Sequence, residues 1–215
     1  DLRDSRGKLH GTAHGDAKVV DGALVLDGRG AYVATAPLTS ALAEKSLEAW
    51  VLLDSLDQRG GGVVGVQSAG GGTFDAIVFG EREPRRWMAG SNFFRRTQPF
   101  GGPEESNANQ QPVHIAITYR QDGTITAYRN GQPYGKAYKT GFVTFPAGKS
   151  QIVFGLRHAP AGSNKMLAGK ILRANLYDRA LDAEAVAASA GVETDFVSEK
   201  SILTQLTAEQ RKRRN

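Results

Sequence analysis

Cysteine is absent from this 215-residue chain, and methionine and tryptophan occur only twice each. Without cysteine the chain can form neither a disulfide framework nor a metal site built from thiolates. The sequence also lacks a run of about 18 apolar residues, and it shows no signal-peptide pattern. We therefore expect no membrane insertion by this segment. Because it begins at Asp1 rather than at methionine, we expect it to belong to a longer protein.

Basic residues outnumber acidic ones by 27 to 22, which gives a formal net charge of +5. Part of the excess lies in the terminal run Arg211-Lys212-Arg213-Arg214, and the other basic residues are interspersed with acids. No recognition helix, zinc finger or RNA-binding motif accompanies this charge. The pattern is typical of a solvated surface, so we expect no nucleic-acid partner.

Short apolar runs separated by glycine make up most of the sequence, which contains 26 glycines. The clearest case is the stretch 113–131, where Asp122-Gly123 and Asn130-Gly131 interrupt alternating β-branched and aromatic residues. Asp-Gly and Asn-Gly favour the positive φ angles of tight hairpin turns. This stretch therefore predicts consecutive antiparallel strands.

The same patterns predict the other elements of the chain. Asp182 has the properties of a helix N-cap and Gly191 those of a helix end, so a short helix is expected between them. The glycine triplets at 60–62 and 70–72 are interpreted as corners of a bending sheet. Strands are expected at 23–26, 31–34, 46–53, 63–67, 74–79, 86–89, 93–96, 141–145, 151–155 and 167–177.

Four motifs in order along the chain carry a resemblance to a known family. They are Leu26-Asp27-Gly28-Arg29-Gly30-Ala31-Tyr32-Val33, Ser46-Leu47-Glu48-Ala49-Trp50-Val51, the hairpin stretch 114–131, and Gly169-Lys170-Ile171 with Leu176-Tyr177-Asp178-Arg179-Ala180-Leu181. Over residues 9–190 the chain resembles laminin-G-like jelly-roll domains of the concanavalin A-like lectin/glucanase superfamily. The resemblance implies an all-β, two-sheet antiparallel jelly-roll sandwich over residues 1–191, and it leaves the function open.

The end of the chain predicts a different kind of segment. Residues 192–215 contain one short apolar stripe, and Thr207-Ala208-Glu209-Gln210 has the form of a capping box. We interpret 192–215 as a helical tail, a linker toward a missing downstream domain.

The region 81–112 interrupts the strand pattern and is the first candidate for a site, because long irregular connections are often functional. Aromatic rings cover the apolar face of a sugar, and arginines pair with uronate or sulfate groups. The alternative is that the aromatic side chains fill the sandwich while the arginines pair with local glutamates. The ligand-binding candidates are Arg82, Arg86, Trp87, Asn92, Phe93, Arg95 and Arg96.

Enzymatic sites find little support in the sequence. Retaining glucanases of the superfamily carry paired carboxylates on one strand, and only Glu81 and Glu83 have that spacing here. Neighbouring arginines are expected to lower the pKa of these two carboxyl groups, which opposes a general-acid role. The four histidines, at positions 10, 14, 114 and 158, are expected to be structural.

Calcium is the one metal that the resemblance suggests, because many such jelly rolls hold an ion near the loop that here contains Asp27. Oxygen ligands of this kind suit calcium. The family often has Asp-Glu after the closing Gly-x-Ile, whereas this chain has Leu172-Arg173, which weakens the site. Asp27 could instead hydrogen-bond its own turn as an Asx residue.

Together these observations predict a non-catalytic binding or interaction module within a larger exported bacterial protein, located in the periplasm or at the cell surface. The resemblance implies a carbohydrate or protein ligand, with neighbouring domains of the same chain as further partners. A glycan-active hydrolase and a purely structural spacer are the alternatives.

Overall fold

Two antiparallel β-sheets pack face to face in the computed structural model, which describes residues 1–192. This architecture confirms the expected all-β sandwich. The strands are β1 Gly11–His14, β2 Lys18–Val20, β3 Ala23–Asp27, β4 Tyr32–Thr35, β5 Lys45–Leu53, β6 Gly61–Ser68, β7 Phe74–Phe79, β8 Trp87–Ser91, β9 Val113–Tyr119, β10 Thr124–Arg129, β11 Gln132–Pro133, β12 Tyr138–Lys139, β13 Ser150–Phe154 and β14 Ala168–Tyr177.

One sheet has six strands in the order β1-β4-β13-β6-β7-β8. The other has the order β11-β10-β9-β5-β14-β3-β2, with β12 also paired to β10. The hairpin β9–β10 lies where the Asp122-Gly123 turn predicts it, with Ile125 opposite Tyr119. No helix among residues 1–192 is long and apolar enough to cross a membrane.

Side chains of β5 show how the core forms. Leu47, Ala49, Val51 and Leu53 are buried in the main apolar cluster, and the residues between them face outward. This period-two pattern follows from strand geometry, because successive side chains point to opposite faces. The C-terminal helix partly covers the residues that face outward.

That helix, α1 (Ala183–Ala190), has the predicted ends. The Asp182 carboxylate accepts a hydrogen bond from the Ala185 backbone N–H at 2.9 Å, and Gly191 closes the helix at φ 73°. Leu181 and Val186 form an apolar cluster with Ala116 and Tyr128 on the outer face of the eight-stranded sheet. The helical linker predicted for 192–215 lies outside the described residues from position 193 onward.

Three expectations about irregular segments are wrong. Residues 93–96 are not extended, because Asn92–Phe94 form a 3-10 turn with Phe93 at φ 52°. Residues 141–145 form only an isolated bridge, from Phe145 to Leu42, and the segment before it is largely exposed. The first glycine triplet is not a corner: Gly62 lies within β6, where a Cβ atom would lie 2.3 Å from the backbone of Arg157.

A buried ionic cluster joins the two sheets. The Asp75 carboxylate of β7 lies 2.9 Å from the Lys45 ammonium of β5, and it also accepts a 2.8 Å hydrogen bond from Arg96 Nε. The Lys45 ammonium lies over the rings of Tyr119 and Phe145, 4.5 Å and 5.0 Å from their centroids. Burial lowers the pKa of Lys45, and Asp75 opposes that shift.

The Asp75→Ala variant should lose about 3–5 kcal/mol of unfolding free energy, because two buried cations would lose their counter-ion. Urea denaturation measures this loss. Asp57→Ala is the matched control: Asp57 pairs with Arg85 on the surface, where an ion pair contributes at most about 1 kcal/mol. Equal losses in the two variants would contradict the role assigned to the cluster.

Candidate functional site

Trp87 lies in the core and offers no ring face to a ligand. Its side chain is 1% exposed, and its ring packs on Phe79 with centroids 4.7 Å apart. The indole N–H donates a 2.9 Å hydrogen bond to the Glu105 carboxylate. The structure therefore supports the alternative reading of Trp87 as a core side chain, and corrects its place among the ligand candidates.

Arg96 is also an interior residue. Its guanidinium donates to Asp75, to the Phe74 carbonyl at 2.9 Å and to the Asn92 side-chain oxygen at 3.0 Å. Because these three acceptors occupy N–H donors of the Arg96 guanidinium, Arg96 and Asn92 stabilise the loop rather than face a ligand. Arg86 is half-buried and donates to the Gly102 carbonyl.

The remaining three candidates, Arg82, Phe93 and Arg95, are exposed and meet at one surface. We call residues Asn92–Arg95 the aromatic turn. Phe93 is 84% exposed and Phe94 is 44% exposed, the largest exposures among the big apolar side chains described. Arg95 lies over the Phe93 ring at 5.8 Å from the centroid, and Arg82 lies over the Phe94 ring at 5.2 Å.

The backbone of the aromatic turn is strained. Phe93 and Phe94 have φ angles of 52° and 55°, a left-handed conformation that bulky residues rarely adopt. Such conformations cost of the order of 1–3 kcal/mol each and persist only where the surroundings enforce them. Strain combined with two exposed aromatic rings is unusual in a purely structural loop.

The surroundings that enforce this conformation are polar and largely buried. The Ser91 hydroxyl accepts the Arg96 backbone N–H at 2.9 Å and lies 2.9 Å from the Thr97 hydroxyl. The Thr97 N–H donates to the Phe94 carbonyl at 3.2 Å, and the Tyr138 hydroxyl donates to the Arg96 carbonyl at 3.1 Å. The turn is therefore held from both ends before any ligand arrives.

Charge at the aromatic turn is positive, although Arg82 also interacts electrostatically with the neighbouring Glu81 carboxylate. Within residues 1–192, neither Arg82 nor Arg95 lies in an ion pair with an acidic side chain. The other arginines of the region differ, since Arg85 pairs with Asp57 and Arg86 with Glu104. The expectation that local glutamates neutralise the arginines thus holds for only part of the set.

The pKa of Glu81 is shifted in the direction opposite to the expected one. Burial raises the pKa of this carboxyl group, although the Arg157 guanidinium pairs with it and opposes the shift. The expectation of a lowered pKa was wrong because it ignored desolvation.

The histidines have structural contacts. His114 Nε2 lies 2.8 Å from the buried Glu48 carboxylate, and the His158 ring stacks on Phe74 at 4.4 Å. His14 stacks on Tyr32, and the His10 ring accepts the Asp4 backbone N–H at 3.1 Å. Each histidine therefore has at least one contact within the fold, and the absence of a catalytic role stays a prediction.

Asp27 organises its own turn. One carboxylate oxygen accepts the backbone N–H groups of Arg29, Gly30 and Ala31 at 2.8, 3.1 and 3.0 Å, and these hydrogen bonds lower the Asp27 pKa. Donor groups of this kind do not suit a cation, and residues 1–192 contain no cluster of three or more acidic or histidine side chains able to hold one. The residues at Asp27 therefore fit the Asx interpretation better than calcium, whose binding stays a prediction.

Sequence reasoning could not separate the exposed candidates from the buried ones, because no local signal distinguishes Phe93 from Trp87. Glu105 was expected to pair with an arginine of the 81–112 region, but it is almost fully buried and joins Trp87 to Arg129 instead. Arg129 Nε and Nη2 each donate to the Glu105 carboxylate at 2.8 Å. Burial would raise the pKa of Glu105, but the hydrogen bonds from Arg129, Trp87 and Asn107 lower it from 4.5 to about 2.

We expect Trp87→Ala to lower the unfolding free energy by about 3–5 kcal/mol through cavity formation. The comparison variant is Trp50→Ala, since Trp50 is only partly buried on the outer sheet face and should lose less. Chemical denaturation of both variants decides this. A Trp87→Ala protein as stable as the wild type would contradict the core assignment.

Glu105 should also make the unfolding free energy depend on pH. Its pKa is lower in the folded state, so its contribution is complete above pH 4.5 and is lost as the pH falls toward about 2. Glu105→Gln should therefore be less stable at neutral pH and show a flatter stability profile between these limits. Denaturation curves across that range test this, with the exposed neighbour Glu104→Gln as the control. A profile as steep as that of the wild type would exclude Glu105 as the cause.

Comparisons with solved structures identify similar folds. The chain is similar to domain 4 of AbnA, a GH43 extracellular arabinanase from Geobacillus stearothermophilus solved with arabinotriose, at 19% identity and a TM-score of 0.64, covering 88% of this chain and 93% of that one. It is similar to the Trypanosoma rangeli sialidase at 16% identity and a TM-score of 0.62, covering 85% of this chain and 29% of that one. It is also similar to the botulinum neurotoxin serotype G binding domain at 13% identity and a TM-score of 0.59, covering 87% of this chain and 47% of that one.

These likenesses concern the fold alone, because all three identities are low. No curated protein matches the chain. A family model does match, and it covers residues 27–187, from the Asp27 turn to the C-terminal helix. The chain belongs to the concanavalin A-like lectin/glucanases superfamily, in its laminin-G-like branch.

Proposed function

We propose that this domain is a non-catalytic carbohydrate-binding module whose ligand binds at the aromatic turn. The observation that carries the proposal is the strained, highly exposed Phe93, held in place by buried polar contacts. A preformed aromatic surface binds a sugar ring with little loss of conformational entropy. The arabinanase domain solved with arabinotriose supports this class of ligand.

Two exposed arginines without an ion-pair partner among residues 1–192 refine the ligand class. Arg82 and Arg95 flank the phenylalanine rings, and a guanidinium pairs well with a carboxylate or sulfate group. We therefore expect a preference for sugars that carry acidic groups over neutral ones. Such a preference weakens as ionic strength rises, because these charges lie at the surface.

The module would be one domain of a larger exported bacterial protein. The arabinanase domain, which is a part of an extracellular enzyme, supports this setting. A protein ligand at the same surface is the alternative, since exposed phenylalanine and arginine also occur in protein interfaces. A hydrolase is the other alternative, and the raised pKa of Glu81 is the observation in its favour.

Phe93→Gly should weaken sugar binding about tenfold or more while leaving thermal stability unchanged or higher, because glycine tolerates the positive φ. The probes are a glycan array with neutral and uronate-containing oligosaccharides, followed by calorimetry on the best ligand at low and high salt. Phe142→Ala is the matched control, since Phe142 is also exposed but lies outside the turn.

Three outcomes would overturn the proposal. These are an absence of glycan binding by the wild type, a loss of binding in Phe142→Ala equal to that in Phe93→Gly, and cleavage of the bound sugar. In the last case, loss of reducing-sugar release in Glu81→Gln would assign the chain to the hydrolases.

A further inference from the structure

Strand β14 is paired on both sides along less than half of its length. Ala168–Ile171 pair with β3 on one side, and Gly169–Ile171 pair with β5 on the other. From Leu172 to Tyr177 the register includes β5 alone, and no backbone hydrogen bond reaches this stretch from any other described residue. The free stretch is six residues, about 20 Å long.

A bulge explains where the pairing with β3 ends. The register of β14 against β5 shifts between Ile171 and Arg173, so Leu172 is an extra residue that is 43% exposed. Bulges bend a strand and increase its twist. At the same level β3 begins after the tight turn at Asp21-Gly22, so it offers no residues to the second half of β14.

The free edge borders a cleft of about 880 Å³ between the two sheets. Its walls include the residues Leu172–Tyr177 and apolar side chains of both sheets, among them Leu24 and Phe154. Residues 1–7 of the N-terminal segment also line it. A partly apolar cleft thus borders a strand edge that is unpaired among the described residues, and such an edge can accept an added strand.

Arginines outnumber aspartates by three to two among the residues that line the cleft. Arg3, Arg6 and Arg173 line it, all three are exposed, and none lies in an ion pair within residues 1–192. The acidic side chains beside them are engaged by the backbone. Asp4 accepts the N–H groups of Arg6, Gly7 and Leu9, and Asp1 accepts that of Arg3.

We propose that this cleft binds an extended acidic peptide, which adds to the sheet along the Leu172–Tyr177 edge. The peptide backbone hydrogen-bonds to β14, and its inward side chains lie on the apolar floor. Its outward carboxylates meet Arg173, whose guanidinium lies over the Trp50 ring at 4.7 Å on the outer face of the sheet. An oligosaccharide could pair with the arginines but could not continue a strand ladder. A second copy of this chain would bring Arg173 of each molecule to the same seam, where like charges repel.

The test uses an end-capped eight-residue peptide of alternating valine and glutamate. Calorimetry should give a dissociation constant that rises with salt, and the peptide with lysine in place of glutamate should not bind. A third peptide, N-methylated at every residue, keeps the charge but lacks the backbone donors of both edges, and should also fail. Hydrogen exchange should show slower amide exchange within residues 172–177 when the first peptide is bound.

Arg173→Glu should weaken binding about tenfold or more, whereas Lys136→Glu, a charge change elsewhere on the surface, should not. Thermal melting of both variants checks that the fold is intact. Binding by the N-methylated peptide, or no change in exchange at 172–177, would overturn the proposal. Two further results would overturn it. One is a wild type that binds heparin tightly but no peptide, with heparin binding abolished by Arg173→Glu. The other is dimerisation through this edge, seen by light scattering.

Discussion

The arrangement of the two sheets and of the aromatic turn depends on the contacts of the buried Asp75 carboxylate. This carboxylate joins Lys45 of one sheet to β7 of the other, and it fixes Arg96 at the base of the aromatic turn. Replacing such a buried ion group by apolar residues can leave stability unchanged, so its main value is not net stability. Its main role is to position other groups, because this single carboxylate contacts both sheets and also holds the aromatic turn through Arg96.

A second buried carboxylate has a similar part on the outer face of the eight-stranded sheet. Glu48 accepts hydrogen bonds from Tyr177 at 3.0 Å and from Ser189 of helix α1 at 2.9 Å, and lies beside His114. Burial raises the pKa of Glu48, but the hydrogen bonds from His114, Asn175 and Ser189 outweigh it and lower the pKa. The helix is therefore fixed to the sheet by polar contacts in addition to its small apolar face.

Much of this fold could be predicted from local sequence patterns. Alternation in β5 and the Asp122-Gly123 turn depend on neighbouring residues only, as do the ends of helix α1 at Asp182 and Gly191. The site could not be predicted in the same way, because its decisive contacts are long-range. Trp87 is hydrogen-bonded to Glu105, 18 positions away, and Arg96 is hydrogen-bonded to Asp75, 21 positions away. A sequence read in short windows gives all these aromatic and arginine residues the same probability of exposure.

Both proposed binding surfaces lie where regular β geometry is interrupted. At the aromatic turn the interruption is the left-handed φ of Phe93, and at the β14 edge it is the extra residue Leu172. A regular strand within a sheet satisfies its own backbone groups and turns its side chains to the core or to solvent. It therefore has no free groups for a ligand. The two interruptions differ in kind. The turn is enforced by buried hydrogen bonds, so a ligand meets a fixed surface, whereas the strand edge has backbone groups that no residue within 1–192 pairs and that an added strand can pair.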